Sequence, residues 1–526
     1  MVSVGTAVVG ALRAHDVQLV FGIPGTHNLE LYRGLRLHAI PHVLPRHEQG
    51  AGYAADGYAR SSGRPGVVIT TSGPGLTNVF TAAATAYADS IPLLVISPGP
   101  ERGRDRANDG WLHEVKDQHA AAAAVFERSI RADSGHAAVA AVHDAFADWR
   151  VGRRRPVHLE IPLDLLEAEY LEDPLLPPPA VPPEPDPGAV VAAATVLAES
   201  RSPAILVGGG ALDAGESLRQ LAERLDAPVV TTTAAKGLLD EQHPLAVGAV
   251  AGFEPAMTLL SEADVLLVIG SEVGDSEIPI GSFRPRGVVI RIDVSSEQLD
   301  KNLPADFKVL GGAESAVRAL VERLRSVRTT RTSAARAEQV AEVRAEIAKS
   351  LDSRWVAILD ALSPKLPPET TITADSSQIC YLGAAPYLRQ TSPRRYLAPI
   401  GYSTLGYALP AAIGAKLASP QRPVLALLGD GAFMFSVQEL ITAAENKLAI
   451  PVLVLDNQGF AEIREGMQRR SIDPLGVDLT SPDFTLLAES MGCLGVQANS
   501  AEHAAELVEA AFGADRPTVI SLDVSR

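Results

Sequence analysis

Three α/β domains, each a doubly wound and mainly parallel sheet, are expected from this 526-residue chain on three observations. Short apolar runs alternate with helix-length stretches from end to end. Two composition breaks cut the chain into pieces of ordinary domain size. Glycine-rich turns close several apolar runs, as where a strand feeds a helix at the ligand edge of such a sheet. The expected bounds are an N-terminal domain at 1–171, a proline-rich acidic linker at 172–187, a central Rossmann-like domain at 188–327, a polar connector at 328–352 and a C-terminal domain at 353–526.

Composition narrows the function classes. With 46 basic and 63 acidic side chains the net charge is -17, which excludes a nucleic-acid binder and favours solubility. The hydrophobic share of 46% beside 21% charged residues is that of a globular chain, and no apolar run is long enough to cross a bilayer. The opening MVSVGTAVVGALRAHDV reads as an amphipathic helix, not a leader. Only Cys380 and Cys493 occur, so no disulfide framework forms and a cytoplasmic location is expected.

The most informative stretch is a strand, turn, helix, strand unit. PVLALL (423–428) runs into Gly429-Asp430-Gly431, helical spacing follows over 433–447, and PVLVL (451–455) runs into Asp456-Asn457-Gln458-Gly459. A right-handed crossover makes the strands parallel and brings Asp430 and Asn457 to one edge. A carboxylate, an amide oxygen and a backbone carbonyl are donors that Mg2+ prefers, and glycine lets backbone N–H groups approach a diphosphate. On the turn alone, Asp430 reads equally well as a helix cap. The second half of the unit favours a ligand site.

This pattern resembles the cofactor motif of thiamine-diphosphate (ThDP) enzymes. The resemblance implies that Asp430, the Asn457 side chain and the Gly459 carbonyl hold the metal, with Gly429, Gly431 and Ala432 beside the diphosphate. The family usually has Asn-Asn where this chain has Asp456-Asn457, a departure that leaves the aligned ligand in place. In the N-terminal domain, HVLPRHEQGAGYAADGYAR, the strand GVVITT, the turn Ser72-Gly73-Pro74-Gly75 and a helix from near Thr77 resemble the family's pyrimidine-binding domain. By that match Glu48 faces N1′ of the aminopyrimidine, and Thr71 and Asn78 lie at the cofactor. A lone glutamate at a helix start is otherwise explained by the dipole.

YLAPIGYSTLGYALPAAIGAK (396–416) matches the start of the diphosphate-binding domain, which makes Leu405 the wedge under a bent cofactor and the Ser403 carbonyl an acceptor for its 4′-amino group. Ser377 and Gln378 fall where the family contacts the diphosphate, although hydroxyls after strands also form turns. The central PAILVGGGAL and ADVLLVIGSEVG resemble the middle domain of the acetolactate synthase and decarboxylase branch. Flavin-binding members carry an Arg-Phe-Asp-Asp-Arg element where Ser271-Glu272-Val273-Gly274-Asp275 stands here, so no FAD is expected.

FGIPGTHNLELYRGL, PRHEQGAGYAADGYAR, YADSIPLLVIS and LHEVKDQ are most similar to bacterial 2-ketoarginine decarboxylases. That match implies Mg-dependent, non-oxidative decarboxylation of a 2-oxo acid, 5-guanidino-2-oxopentanoate, to an aldehyde and CO2. Thr26, His27, His113 and Gln118 are the residues expected at the reacting centre; either imidazole is equally well read as structural. A guanidinium tail calls for carboxylates, and Asp109, Glu462 and Glu465 are the candidates, each also readable as a solvated helix charge. An acetolactate-synthase-like carboligase and a catalytically silent regulatory paralogue are the alternatives. If Glu48 acts on a cofactor anchored by Asp430, two domains must face one another, and in the family they come from different subunits. A homodimer or homotetramer with sites at the subunit interface follows.

Overall fold

The computed structural model describes residues 2–172, 176–326 and 333–525. Residues 173–175 of the expected linker and 328–332 of the expected connector lie outside the described residues. Three six-stranded sheets are present, and their strand pairings are parallel throughout.

The N-terminal sheet comprises β1 (Val20–Gly22), β2 (His42–Val43), β3 (Gly66–Ile69), β4 (Leu93–Gly99), β5 (Arg128–Arg131) and β6 (Val157–Pro162), in the order β2-β1-β3-β4-β6-β5. The central sheet comprises β7 (Pro203–Val207), β8 (Val229–Thr231), β9 (Ala246–Ala249), β10 (Val265–Ile269), β11 (Val288–Asp293) and β12 (Phe307–Leu310), ordered β12-β11-β10-β7-β8-β9. In the C-terminal sheet β13 (Thr371–Ala374), β14 (Tyr396–Leu397), β15 (Val424–Gly429), β16 (Pro451–Asp456), β17 (Leu494–Ala498) and β18 (Thr518–Asp523) run β14-β13-β15-β16-β18-β17.

Strand order reverses between β1 and β3, between β7 and β10, and between β13 and β15. Such switch points open a crevice beyond the strand ends, where ligands bind. The turns after β1 and β3 carry Thr26, His27, Thr71 and Ser72; those after β13 and β15 carry Ser377 and Asp430. The central strands of each sheet are apolar runs because both faces are covered. β3, β4 and β10 are buried along their length, and β15 and β16 along all but the last residue.

Local details differ from the sequence reading in two places. The stretch 433–447 is not one helix but a turn of helix at Asp430–Phe433 followed by Glu439–Glu445. The break turns the buried Glu439 carboxylate toward the N-terminal domain, where it accepts from the backbone N–H groups of Arg46 (3.1 Å) and His47 (3.1 Å). The helix expected from near Thr77 begins at Pro74, directly after Gly73 at φ 57°. Proline suits the first helical turn, where its missing N–H costs nothing.

The N- and C-terminal domains meet through the helices Glu48–Ser62 and Ala408–Ala418. Their backbones touch: a Cβ at Gly57 would lie 2.3 Å from the Ala411 carbonyl oxygen, and one at Gly414 1.8 Å from that of Ala54. A buried polar network flanks this contact. Arg60 pairs with Asp56 (2.6 Å) and Asp89 (2.8 Å) and donates to the Ala398 carbonyl, while the Tyr407 hydroxyl donates to Asp56 (2.7 Å). Asp89 also accepts from the backbone of Ile400 and Gly401. Every charge is thereby paired, as burial requires.

Gly414→Ala therefore has to push two backbones apart. It is expected to lower stability by about 1–3 kcal/mol, the usual cost of overpacking, or more. The thermal midpoint checks this, and a variant as stable as the parent would refute the close-approach role.

Candidate active site

At the C-terminal switch point, β15 delivers Asp430 and β16 delivers Asn457. Asp430 is 3% exposed and its Oδ2 accepts from Gly459 N at 3.0 Å. Asn457 Oδ1 is buried without a hydrogen-bond partner among the described residues. Burial, followed by repulsion from Asp456, pushes the Asp430 carboxyl above its usual value. A desolvated carboxylate beside an orphaned amide oxygen is a site short of positive charge, and a divalent cation fits it. No cluster of three His, Cys, Asp or Glu exists among the described residues.

The Asp456 departure has a local explanation. Its Oδ1 accepts from Gln458 N (3.0 Å) and from the Ser481 hydroxyl (2.7 Å), so the side chain organises the following loop. Gly431 is required by close approach, because a Cβ there would sit 2.8 Å from the Phe460 ring. Ser377 Oγ accepts from Gly429 N at 2.9 Å, which holds the turns after β13 and β15 together. Gln378 points elsewhere: its Nε2 donates to Glu462 (3.0 Å) and Glu465 (3.2 Å) on the helix Ala461–Arg469. The Tyr381 hydroxyl donates to Glu462 as well (3.1 Å), and Arg469 reaches both carboxylates.

Leu405 packs partly buried against the core in a loop whose backbone is unusual. Ser403 has φ 53° and Gly406 φ 84°. The buried Asp375 carboxylate fixes that loop by accepting from Gly406 N (3.1 Å) and Ala408 N (2.9 Å). Desolvation raises its pKa to about 6, outweighing the N–H groups that favour the anion. From the N-terminal domain, Tyr53 bonds the neighbouring Thr404 hydroxyl at 2.8 Å.

In the N-terminal domain Glu48, 8% exposed, heads its helix and accepts from Asn78 Nδ2 at 2.9 Å. Ala432 and Gly431 are buried beneath the opposite switch point. Thr26 is exposed, Thr71 Oγ1 is buried and unpartnered, and His27 Nδ1 lies 2.7 Å from Ser72 Oγ. Gln118 Oε1 accepts from Gly73 N at 2.7 Å, so it supports the turn from behind. Asp109 is an exposed partner of Arg104. Among the described residues no hydrogen bond joins Glu48 to the Asp430 cradle.

Three contributors escaped the sequence reading. Asp375 ends a strand and is visible as a polar residue at a switch point. Ser72 was read only as a turn former. Glu439 caps a helix in another domain, and nothing local in its sequence marks it.

A buried glutamate at the N-terminal switch point and a carboxylate, amide and glycine turn at the C-terminal one are the two halves that a ThDP-binding enzyme would need. Family models agree along the chain: the thiamine pyrophosphate enzyme N-terminal TPP binding domain matches residues 2–121, the central domain 190–320 and the C-terminal TPP binding domain 379–522. Thiamine pyrophosphate and ThDP are the same compound. The chain is 42% identical to a Pseudomonas aeruginosa protein named "Probable 2-ketoarginine decarboxylase AruI", over 98% of this chain and 93% of the relative. It is 33% identical to a probable acetolactate synthase large subunit of Methanocaldococcus jannaschii (98% and 91% covered) and 32% to the Corynebacterium glutamicum acetolactate synthase large subunit (98% and 86%). The chain belongs to the thiamine-diphosphate-dependent decarboxylase and acetolactate synthase family and is an enzyme of that class.

Asp430→Ala and Asn457→Ala each remove a proposed metal donor. Calorimetry should show Mg-dependent ThDP affinity falling by at least the ~10–100-fold typical of outer-shell losses; unchanged affinity would reject the cradle. A second expectation concerns pH. The ionised Asp375 carboxylate accepts both loop N–H groups, so protonation as pH falls through about 6 loosens the Leu405 loop. ThDP affinity should then weaken below about pH 6 by up to roughly tenfold per unit. Asp375→Asn should bind weakly throughout and lose that component. Titrations of both proteins that run parallel across pH would sink the idea.

Proposed function

We propose that the chain decarboxylates a 2-oxo acid non-oxidatively to an aldehyde and CO2, with Mg2+ and ThDP, and that the substrate carries a guanidinium tail. The observation that carries the substrate reading is the convergence of Glu462 and Glu465 on one amide nitrogen of Gln378. Two carboxylates meeting at one N–H donor, and already reached by the Arg469 guanidinium, form an acceptor pair suited to a planar fork. The similarity to a relative named for 2-ketoarginine supports the same choice.

Bound ThDP supplies an electron sink for the pair left when the carboxylate departs. The chain's residues do the rest. Asp430, Asn457 Oδ1 and the Gly459 carbonyl hold Mg2+, and the Gly429–Ala432 turn and Ser377 cradle the diphosphate. Leu405 and the Ser403 carbonyl orient the cofactor. Glu48, steadied by Asn78, holds a proton at N1′ of the aminopyrimidine. His27 and His113, with Thr26 and Thr71 nearby, face the reacting carbon, and Gln118 acts through the Gly73 turn.

We further propose a homodimer or homotetramer in which Glu48 of one subunit meets the cradle of another. Tyr402, Met434 and Phe435 are exposed apolar side chains beside the Leu405 and Asp430 loops, which supports burial by a second copy. The unpaired Cys380 and Cys493 support a cytoplasmic setting. No helix among the described residues is long and apolar enough to cross a membrane. No FAD is proposed, since the Ser271–Asp275 turn lacks the flavin element; there Glu272 pairs with Arg153 and Lys301.

Steady-state decarboxylation across guanidino, aromatic and branched 2-oxo acids tests the reading. Charge-assisted hydrogen bonds contribute about 1.5–3 kcal/mol, so kcat/KM for 5-guanidino-2-oxopentanoate should exceed that of an uncharged acid of equal length by about 10–100-fold. Glu462→Gln and Glu465→Gln should each erode the preference. A guanidino compound among the poorest substrates would reject the substrate, and acetohydroxy acid formed from pyruvate in place of aldehyde would favour carboligation.

A further inference from the structure

At the N-terminal switch point a buried hydroxyl sits between two imidazoles. Ser72 is fully buried in the turn after β3, with Oγ 2.7 Å from His27 Nδ1 and 3.3 Å from His113 Nδ1. The imidazoles meet edge to face at 5.0 Å, and Trp111 stacks on His27 at 4.8 Å. Backbone strain brings them there. His113 has φ 69° and Gly73 φ 57°, and a Cβ at Gly73 would lie 2.2 Å from the His113 carbonyl oxygen. Left-handed backbone in a non-glycine residue persists only where its surroundings hold it, and it clusters at active sites.

The turn is also pinned from behind. Gly73 N donates to Gln118, whose Nε2 donates to Glu160 and the Pro98 carbonyl (2.9 Å each), and Glu160 pairs with Arg131. Among the described residues neither imidazole Nε2 has a hydrogen-bond partner, so each ring keeps one nitrogen available.

We propose that Ser72 joins His27 and His113 into one proton relay that serves the decarboxylation, acting as a positioning residue that fixes opposite tautomers on the two rings. A hydroxyl has one proton to donate and lone pairs to accept with. The ring receiving the Ser72 proton at Nδ1 carries its own on Nε2 and is an acid. The other ring donates Nδ1–H to Ser72 and presents a basic Nε2.

The relay rests on the decarboxylase reading and supplies the proton that reaction needs. The bond to the carboxylate breaks, CO2 leaves, and the electron pair stays with the former 2-oxo carbon. A C–H bond forms there with the proton from the acid ring's Nε2. Ser72 passes its proton to that ring's Nδ1 and takes one from the second ring's Nδ1, and the second Nε2 takes up from bulk solvent the one proton that conversion to aldehyde and CO2 consumes. The rings have then exchanged roles, ready for another cycle.

The charged groups around the pair are themselves partnered. Glu30 pairs with Arg33 on the following helix, Arg104 with Asp109 and Arg106 with Asp117 on the segment bearing His113, and Glu114 accepts from Gly110 N. Glu160 is held by Arg131 and Gln118, and Glu48 by Asn78. Desolvation first, and the neighbouring His113 second, hold His27 below the usual imidazole value, which suits a tautomer-based relay.

Histidine-selective 15N spectra across about pH 5–9 bracket the imidazole range and test the relay without turnover. His27→Asn and His113→Asn assign the signals. In the parent, titration of either ring should shift the other in two coupled steps. Ser72→Ala and the volume-conserving Ser72→Cys should weaken that coupling to the residual through-space repulsion of the two rings, with Ser72→Cys deciding if the smaller variant fails to fold. Ser72→Thr should restore coupling.

In turnover, kcat should fall at least about tenfold in the weakly coupled variants while KM stays within about twofold, since proton transfer is worth about 10²–10⁴ in rate. Rings no more strongly coupled in a decarboxylating parent than in Ser72→Cys, or parental kcat in Ser72→Ala and Ser72→Cys, would overturn the relay alone. Coupled rings in a protein that makes acetohydroxy acids and no aldehyde would overturn the reaction assigned above and retain the coupling.

Discussion

Backbone-to-backbone contact between the helices Glu48–Ser62 and Ala408–Ala418 is the constraint on which the site geometry depends. Gly57 and Gly414 let each helix touch a carbonyl of the other, a distance no larger residue permits. One helix begins with Glu48; the other follows directly on the Leu405 loop. The same contact therefore fixes Glu48 and the Leu405 loop of one chain relative to each other, each serving a different site in the dimer proposed above. Glu439 reinforces it by accepting N–H groups just ahead of Glu48, where a helix start leaves donors unsatisfied. The Asp56, Arg60, Asp89 and Tyr407 network closes the flank, two carboxylates sharing one guanidinium and further hydrogen bonds.

Buried polar groups in this protein fall into two kinds, and the difference marks where a ligand belongs. Asp375 is buried and accepts from surrounding backbone N–H groups, which offset its desolvation only in part, and its role is to hold a loop. Asp430 also has backbone N–H groups around it, from Gly459 at 3.0 Å and from Gly431 and Asn457, but an amide oxygen on the adjoining turn is orphaned. Since an unmade hydrogen bond in a buried place costs about 1–3 kcal/mol, such a pair persists only where something from outside completes it.

The sequence made the three parallel sheets legible because both faces of each are covered, which turns strands into continuous apolar runs separated by glycine turns. The cradle was legible for a related reason: GDG and the Asn457 turn each follow a strand, and parallel strands bring their ends together. What stayed hidden was long-range. Nothing near Glu439 announces that it caps a helix some 390 residues away in sequence. Gln378 was placed at the diphosphate by resemblance, yet its side chain spans to Glu462 and Glu465, a contact set by the loop after β16 and not by any local pattern. The helix expected over 433–447 was misjudged because its apolar spacing continues through the break between Phe433 and Glu439.

The choice between releasing an aldehyde and joining two carbon skeletons turns on what meets the reacting carbon after CO2 leaves: a proton or a second carbonyl. A site specialised for protonation needs a donor already oriented and quickly replenished, since proton transfer is efficient only at hydrogen-bond reach. Two imidazoles held by one buried hydroxyl, steadied by Trp111 and by the Gln118 chain behind Gly73, meet that demand with groups from three separate segments. A carboligase gains nothing from that arrangement at the step that distinguishes it, which is why the arrangement supports the aldehyde release proposed above.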